Sequence, residues 1–453
     1  MSSLVEKIHL IKSDPEKNNN KFWIGELYDD NTVITRWGRV GDVGQSKTYS
    51  GKGKSFLDSK VRSKKRAGRN GEIAYREIEI IDDSVPNKSS GVKVINSKVK
   101  LKEVAKKQIK YNDPETPKMI EYLTEQNIHD ICSYTDKNIT YNYETGAFVT
   151  PLGAISLDSI KEAREILDRS AILVKNRDFG GELMNHTRDL LMIVPQNIGR
   201  QRIELESWWN DQRIKDQNTL LDGLEASLRK SISKPKNNQH SEEAEEVEEK
   251  VFDTTMELVT DKKLQNLIFG YYNNTRSNMH TSVYRLKPIK LWKVSIANMD
   301  EAFKQDGKKM KNIVPGFHGS GTANTLSLLK SGMLIRPPKN AHVAGALFGS
   351  GIYSAPIQRV GSKNLIHGAS TKAANYCTSF WGGRSSSRIF LFVVEMAMGD
   401  FYVPKSRNYM SINYPVKGYD STWAYGGESG VRNDEAIVYR SSQVNIRYLM
   451  ELQ

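Results

Sequence analysis

Cysteine is scarce in this chain. Of 453 residues only Cys132 and Cys377 carry a thiol, far apart and outside any Cys-x-x-Cys. Neither a disulfide framework nor a zinc site is expected, and no His-Glu-x-x-His offers another route to a metal; unpaired thiols suit a reducing compartment. Long apolar runs are also missing. The longest, Ile389 to Val394, stops at Glu395, and the N-terminus carries Glu6 and Lys7 early, so neither a membrane span nor a signal peptide is expected. The corresponding location is the nucleus in a eukaryote, and otherwise the cytoplasm or nucleoid. Finally, no Gly-x-Gly-x-x-Gly opens a helix after a strand, which disfavours hydride transfer on a Rossmann fold.

What is abundant is positive charge. Lys and Arg number 66 against 53 Asp and Glu, for a formal charge of +13, and the imbalance points to a polyanionic partner. Its distribution is uneven. Residues 1–112 carry +10, residues 113–250 carry −9 and residues 251–453 carry +12. The sign changes coincide with shifts in composition and divide the chain into modules.

Residues 1–84 alternate like strands at Ile8 and Leu10, Phe22 to Leu27, Thr32 to Trp37 and Ile78 to Ile81, with a turn at Asp29-Asp30-Asn31 and a helix over Ser55 to Arg66. A small antiparallel sheet is expected. Residues 85–112 are polar and lysine-rich and read as a basic linker. Apolar residues at helical spacing then recur from Ile120 to Leu228, so 113–233 is expected as an all-α bundle, with a long helix over Arg202 to Leu228 and a cap at Ser156 or Asp158. Residues 234–250, with six glutamates from Glu242 to Glu249, read as an acidic linker. From 251 to 453 strands and helices mix. The fold class is therefore multidomain α+β.

The last module holds the unusual loops. Phe317-His318-Gly319-Ser320 follows an apolar approach and reads as a strand end where glycine lets a ligand come close. Gly349-Ser350-Gly351 enters a second strand at Ile352-Tyr353. Ala374-Asn375-Tyr376-Cys377 follows, and Asn433-Asp434-Glu435 precedes the β-favouring run Ala436 to Tyr439. In this order the blocks resemble the catalytic domain of the poly(ADP-ribose) polymerases. Near the N-terminus, Arg36-Trp37-Gly38-Arg39-Val40-Gly41 with Gly44-Gln45 resembles the WGR domain of that family's DNA-dependent members, and Pro151 to Ser156 with Leu191 to Pro195 resembles its regulatory helical domain.

The resemblance implies a DNA-break-stimulated ADP-ribosyltransferase of the short type, with a WGR domain, a helical regulatory domain and a catalytic domain. NAD+ would be consumed as a substrate, no metal would be needed, and ADP-ribose would pass to proteins including the enzyme itself. It implies that His318 meets the adenosine-side ribose of NAD+, that Ser320 steadies the loop or the ribose, that the Gly319 backbone meets the nicotinamide carboxamide, and that Tyr353 and Tyr376 sandwich the nicotinamide ring, each ring contact worth ~1 kcal/mol. Arg336 would serve the adenosine side, Lys372 the acceptor side, and Glu435 would be catalytic, with His318 and Tyr353 completing the set. Trp37 and Arg39 would meet DNA, since an indole and a guanidinium stack on an open base or sugar at a break. Ala373 replaces a serine hydroxyl that usually binds the carboxamide, and the stretch Pro356 to Ser370 is longer than the usual connection, leaving Ser362 or another hydroxyl to compensate. A mono-ADP-ribosyltransferase and a DNA-end-binding scaffold with weakened catalysis are the competing readings.

Overall fold

A computed structural model describes residues 2–17, 19–40, 42–67, 73–77, 101–135, 138–142, 147–150, 153–155, 157–196, 203–227, 252–333, 347–378 and 388–453. They form two compact units, Met1–Lys100 with Ile131–Glu249, and Leu101–Asp130 with Lys250–Gln453.

In the first unit the N-terminal alternation gives antiparallel strands β1 (Leu4–Lys12), β2 (Lys21–Tyr28), β3 (Val33–Arg39) and β4 (Gln45–Tyr49). The β2–β3 connection turns at Asn31, which sits at φ 61°, a conformation asparagine tolerates. β4 has no apolar signature because its residues are polar and mostly exposed. Helix α1 (Gly53–Lys64) buries Leu57 and Val61 against Leu10, Trp23, Leu27 and Val33, which leaves its lysines outside. β5 (Arg76–Glu77) closes the order β4-β3-β2-β1-β5; the expected strand Ile78 to Ile81 lies outside the described residues.

The expected basic linker 85–112 ends in ordered structure, α2 (Leu101–Gln108) and β6 (Lys110–Tyr111). Val104, Ala105 and Ile109 are buried in the second unit's core, together with Met119, Ile120 and Leu123 of α3 (Glu115–Tyr134). Three apolar side chains among five lysines of 100–110 suffice to seat this segment, and the lysine count hides them in the sequence. The division between units falls inside α3.

The rest of the first unit holds a small sheet, β7 (Thr140–Asn142), β8 (Ala147–Thr150) and β9 (Gly153–Ala154), followed by helices α4 (Leu157–Lys175), α5 (Gly181–Ile193), α6 (Leu205–Trp208) and α7 (Asp211–Ser227). The long helix expected over 202–228 is broken into α6 and α7. At the break Trp209 is buried and its indole N–H donates to Thr187 Oγ1 at 2.7 Å, a tertiary bond that a continuous helical pattern does not announce. Ser156 and the acidic linker fall outside the described residues.

The second unit comprises β10 (Thr254–Leu258), α8 (Lys262–Asn274), α9 (Thr281–Tyr284), β11 (Pro288–Ile296), α10 (Ala297–Gln305), β12 (Ile313–Gly319), α11 (Thr325–Ser331), β13 (Ile352–Pro356), α12 (Ala369–Thr378), β14 (Ile389–Ala397), β15 (Phe401–Tyr402), β16 (Ser421–Ala424), β17 (Glu435–Val438) and β18 (Val444–Leu452). Its sheet runs β15-β16-β17-β13-β12-β14-β18-β11-β10-β6. The long apolar run becomes the middle strand β14. Phe390, Phe392 and Val394 face one core, Ile389, Leu391 and Val393 the other, so period-two geometry buries every residue of the run. Its neighbour β12 ends at the site.

Candidate active site

β12 pairs with β14 through Gly319↔Leu391 and with β13 through Phe317↔Ala355, which brings His318 and Tyr353 to adjacent strands. β13 pairs in turn with β17, and α12 packs beside β12. His318, Gly319, Tyr353, Lys372, Tyr376 and Glu435 consequently line one cavity of about 180 Å³, together with Phe317 and Ala373.

Each side chain is held by a separate device. His318 Nδ1 lies 2.8 Å from the Tyr353 carbonyl. A carbonyl only accepts, so Nδ1 carries the proton and Nε2 keeps its lone pair. Burial pushes the imidazole pKa below its ordinary 6.5, partly opposed by that hydrogen bond, and the ring is neutral. The Tyr353 hydroxyl accepts from the Phe348 N–H and donates to the Gly349 carbonyl, both at 2.9 Å. Its hydroxyl is spent on the glycine loop, and burial raises its pKa well above 10.0. Tyr439 secures the same loop by donating to the Phe348 carbonyl at 2.7 Å.

Gly319 permits the closest approach in the site. A Cβ there would lie 1.8 Å from the Ala373 carbonyl oxygen, so only glycine lets β12 and α12 meet. Lys372 and Glu435 form an ion pair with side-chain exposures of 10% and 14%, and Lys372 Nζ also lies 3.5 Å from the Asp434 carbonyl. Burial lowers the Lys372 pKa while the Glu435 carboxylate holds it up. Tyr376 remains half exposed at the edge.

The other expected residues lie elsewhere. Ser320 is not among the lining residues, and its Oγ accepts from Asn324 Nδ2 at 3.5 Å. Arg336 lies outside the described residues. Ser362 is also absent from the lining; its Oγ accepts from the Asn364 N–H in a turn. Trp37 and Arg39 belong to the first unit, where Trp37 is partly buried against the sheet's core and Arg39 is exposed at the end of β3. The glycines around them have a packing reason: a Cβ on Gly38 would meet Gly44 Cα at 2.7 Å, and Gly44 sits at φ +77° with no room for a side chain. Sequence reasoning missed Asp434, Trp423 and Arg359: beside Glu435 a buried carboxylate is held by a buried indole and by an arginine that reaches in from the surface. The only signal was the acidic pair Asp434-Glu435 at a strand start.

Comparison with known proteins finds two domains in the chain. Residues 265–430 match the poly(ADP-ribose) polymerase catalytic domain and residues 6–74 the WGR domain. The chain resembles the poly(ADP-ribose) polymerases over both stretches. Human poly(ADP-ribose) polymerase 2 is 23% identical over 99% of this chain and 79% of its own length, and the second polymerase of Arabidopsis thaliana is 22% identical over 98% and 72%. The Drosophila melanogaster polymerase is 24% identical over 99% of this chain, which spans only 44% of that protein. The chain thus carries a WGR domain ahead of a poly(ADP-ribose) polymerase catalytic domain. The catalytic-domain match ends at residue 430, before Glu435.

Proposed function

We propose that the chain cleaves the nicotinamide–ribose bond of NAD+ in this cavity and transfers ADP-ribose to proteins, itself included, when the WGR module engages a DNA strand break. The observation that carries the reading is the convergence of His318, Tyr353 and a lysine-paired Glu435 on one cavity. Neutral His318 accepts a hydrogen bond from a ribose hydroxyl at Nε2, which positions the sugar without adding charge. Tyr353 and Tyr376 hold the nicotinamide ring, and the Gly319 backbone receives its carboxamide, so Ala373 need supply no hydroxyl. As the bond to nicotinamide breaks, positive charge grows on the ribose, and Glu435 stabilises it and orients the acceptor hydroxyl. Nicotinamide leaves with the bonding electrons.

Lys372 pairs with Glu435 and keeps it aimed before the acceptor arrives. Trp37 and Arg39 recognise the break, with the basic residues of α1 neutralising phosphate. The helical segment restrains cofactor access until DNA binds. Such an enzyme works in the nucleus where there is one.

Incorporation of labelled NAD+ with and without nicked duplex DNA tests this. Label transfer that rises with nicked DNA is expected; no transfer by folded protein overturns the reading. Products that ladder on a gel distinguish polymer from single-unit transfer.

A further inference from the structure

Glu435 opens β17, and adjacent side chains on a strand point to opposite faces. While Glu435 faces the cavity, the Asp434 carboxylate is buried behind it with four hydrogen bonds. Trp423 Nε1 donates to its Oδ2 at 3.1 Å and the Gly426 N–H to its Oδ1 at 3.0 Å. Arg359 completes the shell with a fork, Nε to Oδ2 at 2.9 Å and Nη2 to Oδ1 at 3.0 Å. The guanidinium also lies over the Tyr425 ring, 4.3 Å from its centre.

Arg359 comes from the long stretch between β13 and α12. That stretch folds as a small hairpin closed by the Gln358↔Leu365 bridge and anchored by the Ile357 N–H on the Pro315 carbonyl at 3.0 Å. Trp423 sits on β16, the neighbour of β17, where Ala424 pairs with Glu435. Two independent elements therefore grip the residue immediately before Glu435.

We propose that Arg359, acting through Asp434, is a positioning residue that fixes the Glu435 carboxylate for ADP-ribose transfer. This rests on the function proposed above. The guanidinium balances the Asp434 charge, so Lys372 stays committed to Glu435. Without Arg359, Asp434 keeps only neutral donors, and the residue that leads into Glu435 loses its anchor to the hairpin. Glu435 then loses its alignment, and small misalignments of a catalytic group cost rate rather than ground-state affinity.

Steady-state NAD+ turnover of the full chain, the Arg359→Gln, Arg359→Lys and Asp434→Asn variants, and the Arg359→Gln/Asp434→Asn double variant tests the proposal. Arg359→Gln should lower kcat about tenfold with KM for NAD+ within about twofold, because the reacting geometry is lost while the cavity persists. Arg359→Lys, which keeps the charge but not the fork, should fall between wild type and Arg359→Gln. The double variant should be no slower than Asp434→Asn alone, since both act through one contact. Wild-type kcat in Arg359→Gln, or multiplying losses in the double variant, overturns the inference while leaving the function intact. A wild-type chain that turns over no NAD+ overturns both. Arg359 is 42% exposed at its side chain, so its variants test the idea even if Asp434→Asn does not fold.

Discussion

Glu435 and Lys372 form a pair whose members do different work. Replacing Glu435 by Gln keeps the shape and an accepting oxygen but removes the charge that meets the developing cation. NAD+ turnover should fall about a hundredfold or more, with the Kd for a non-hydrolysable NAD+ analogue changed less than about threefold. A parallel loss of turnover and binding would mean that Glu435 only shapes the cavity. His318 makes a second prediction, in pH. Its folded pKa lies below the unfolded 6.5, so the unfolded chain takes up its proton first as pH falls. The stability gained by a neutral His318 is present above about pH 6.5 and is lost as pH falls toward the folded pKa. His186 and His280 are shifted the same way by burial, so His318→Gln should make the fall of Tm between about pH 7.5 and 5 shallower without abolishing it. Superimposable Tm curves would remove this account of the imidazole.

At the scale of elements, the site depends on how close β12 and α12 come. Gly319→Ala drives a methyl group into the Ala373 carbonyl, and both neighbours are backbone that cannot rotate away. The strand end and the helix must separate, at a cost of about 1–3 kcal/mol. The expected result is a lowered Tm together with loss of nicotinamide binding by calorimetry; an unchanged affinity would show that the contact is not part of the cavity's wall. The sheet explains why six residues scattered from 318 to 435 meet. β12, β13 and β17 are neighbours, and the buried strand β14 fixes β12 in register from the other side.

At the scale of the whole molecule, the boundary inside α3 changes how the helical segment is to be tested. Removing residues 113–233 would strip Met119, Ile120 and Leu123 from the second unit's core, along with the Glu115–Lys290 ion pair at 2.6 Å and the Tyr122 hydroxyl that donates to the Arg388 carbonyl. Each large apolar side chain lost from a core costs about 2–5 kcal/mol, so that variant should aggregate or melt without cooperativity. A variant lacking residues 131–249 keeps these contacts. It should unfold cooperatively and turn over NAD+ at a rate that nicked DNA no longer raises. No appreciable turnover without the segment would reject restraint of catalysis as its role.

Much of this was legible in the sequence. The alternating N-terminal strands, the apolar run that became β14, and the order of His318, Tyr353, Tyr376 and Glu435 are written in local pattern, because strand period and glycine placement are local properties of the chain. Local pattern did not reveal β4, which is polar, or the seating of α2 in the second unit, where a few apolar residues outweigh many lysines. Nor did it reveal the break at Trp209 or the fork from Arg359 to Asp434, which join residues 22 and 75 positions apart. The amino-acid order determined which chemical groups this protein owns and which strands and helices present them. Only the tertiary structure decided which lysine pairs with the glutamate and which arginine grips the aspartate behind it, since a buried charge takes its partner from whatever the fold brings within reach.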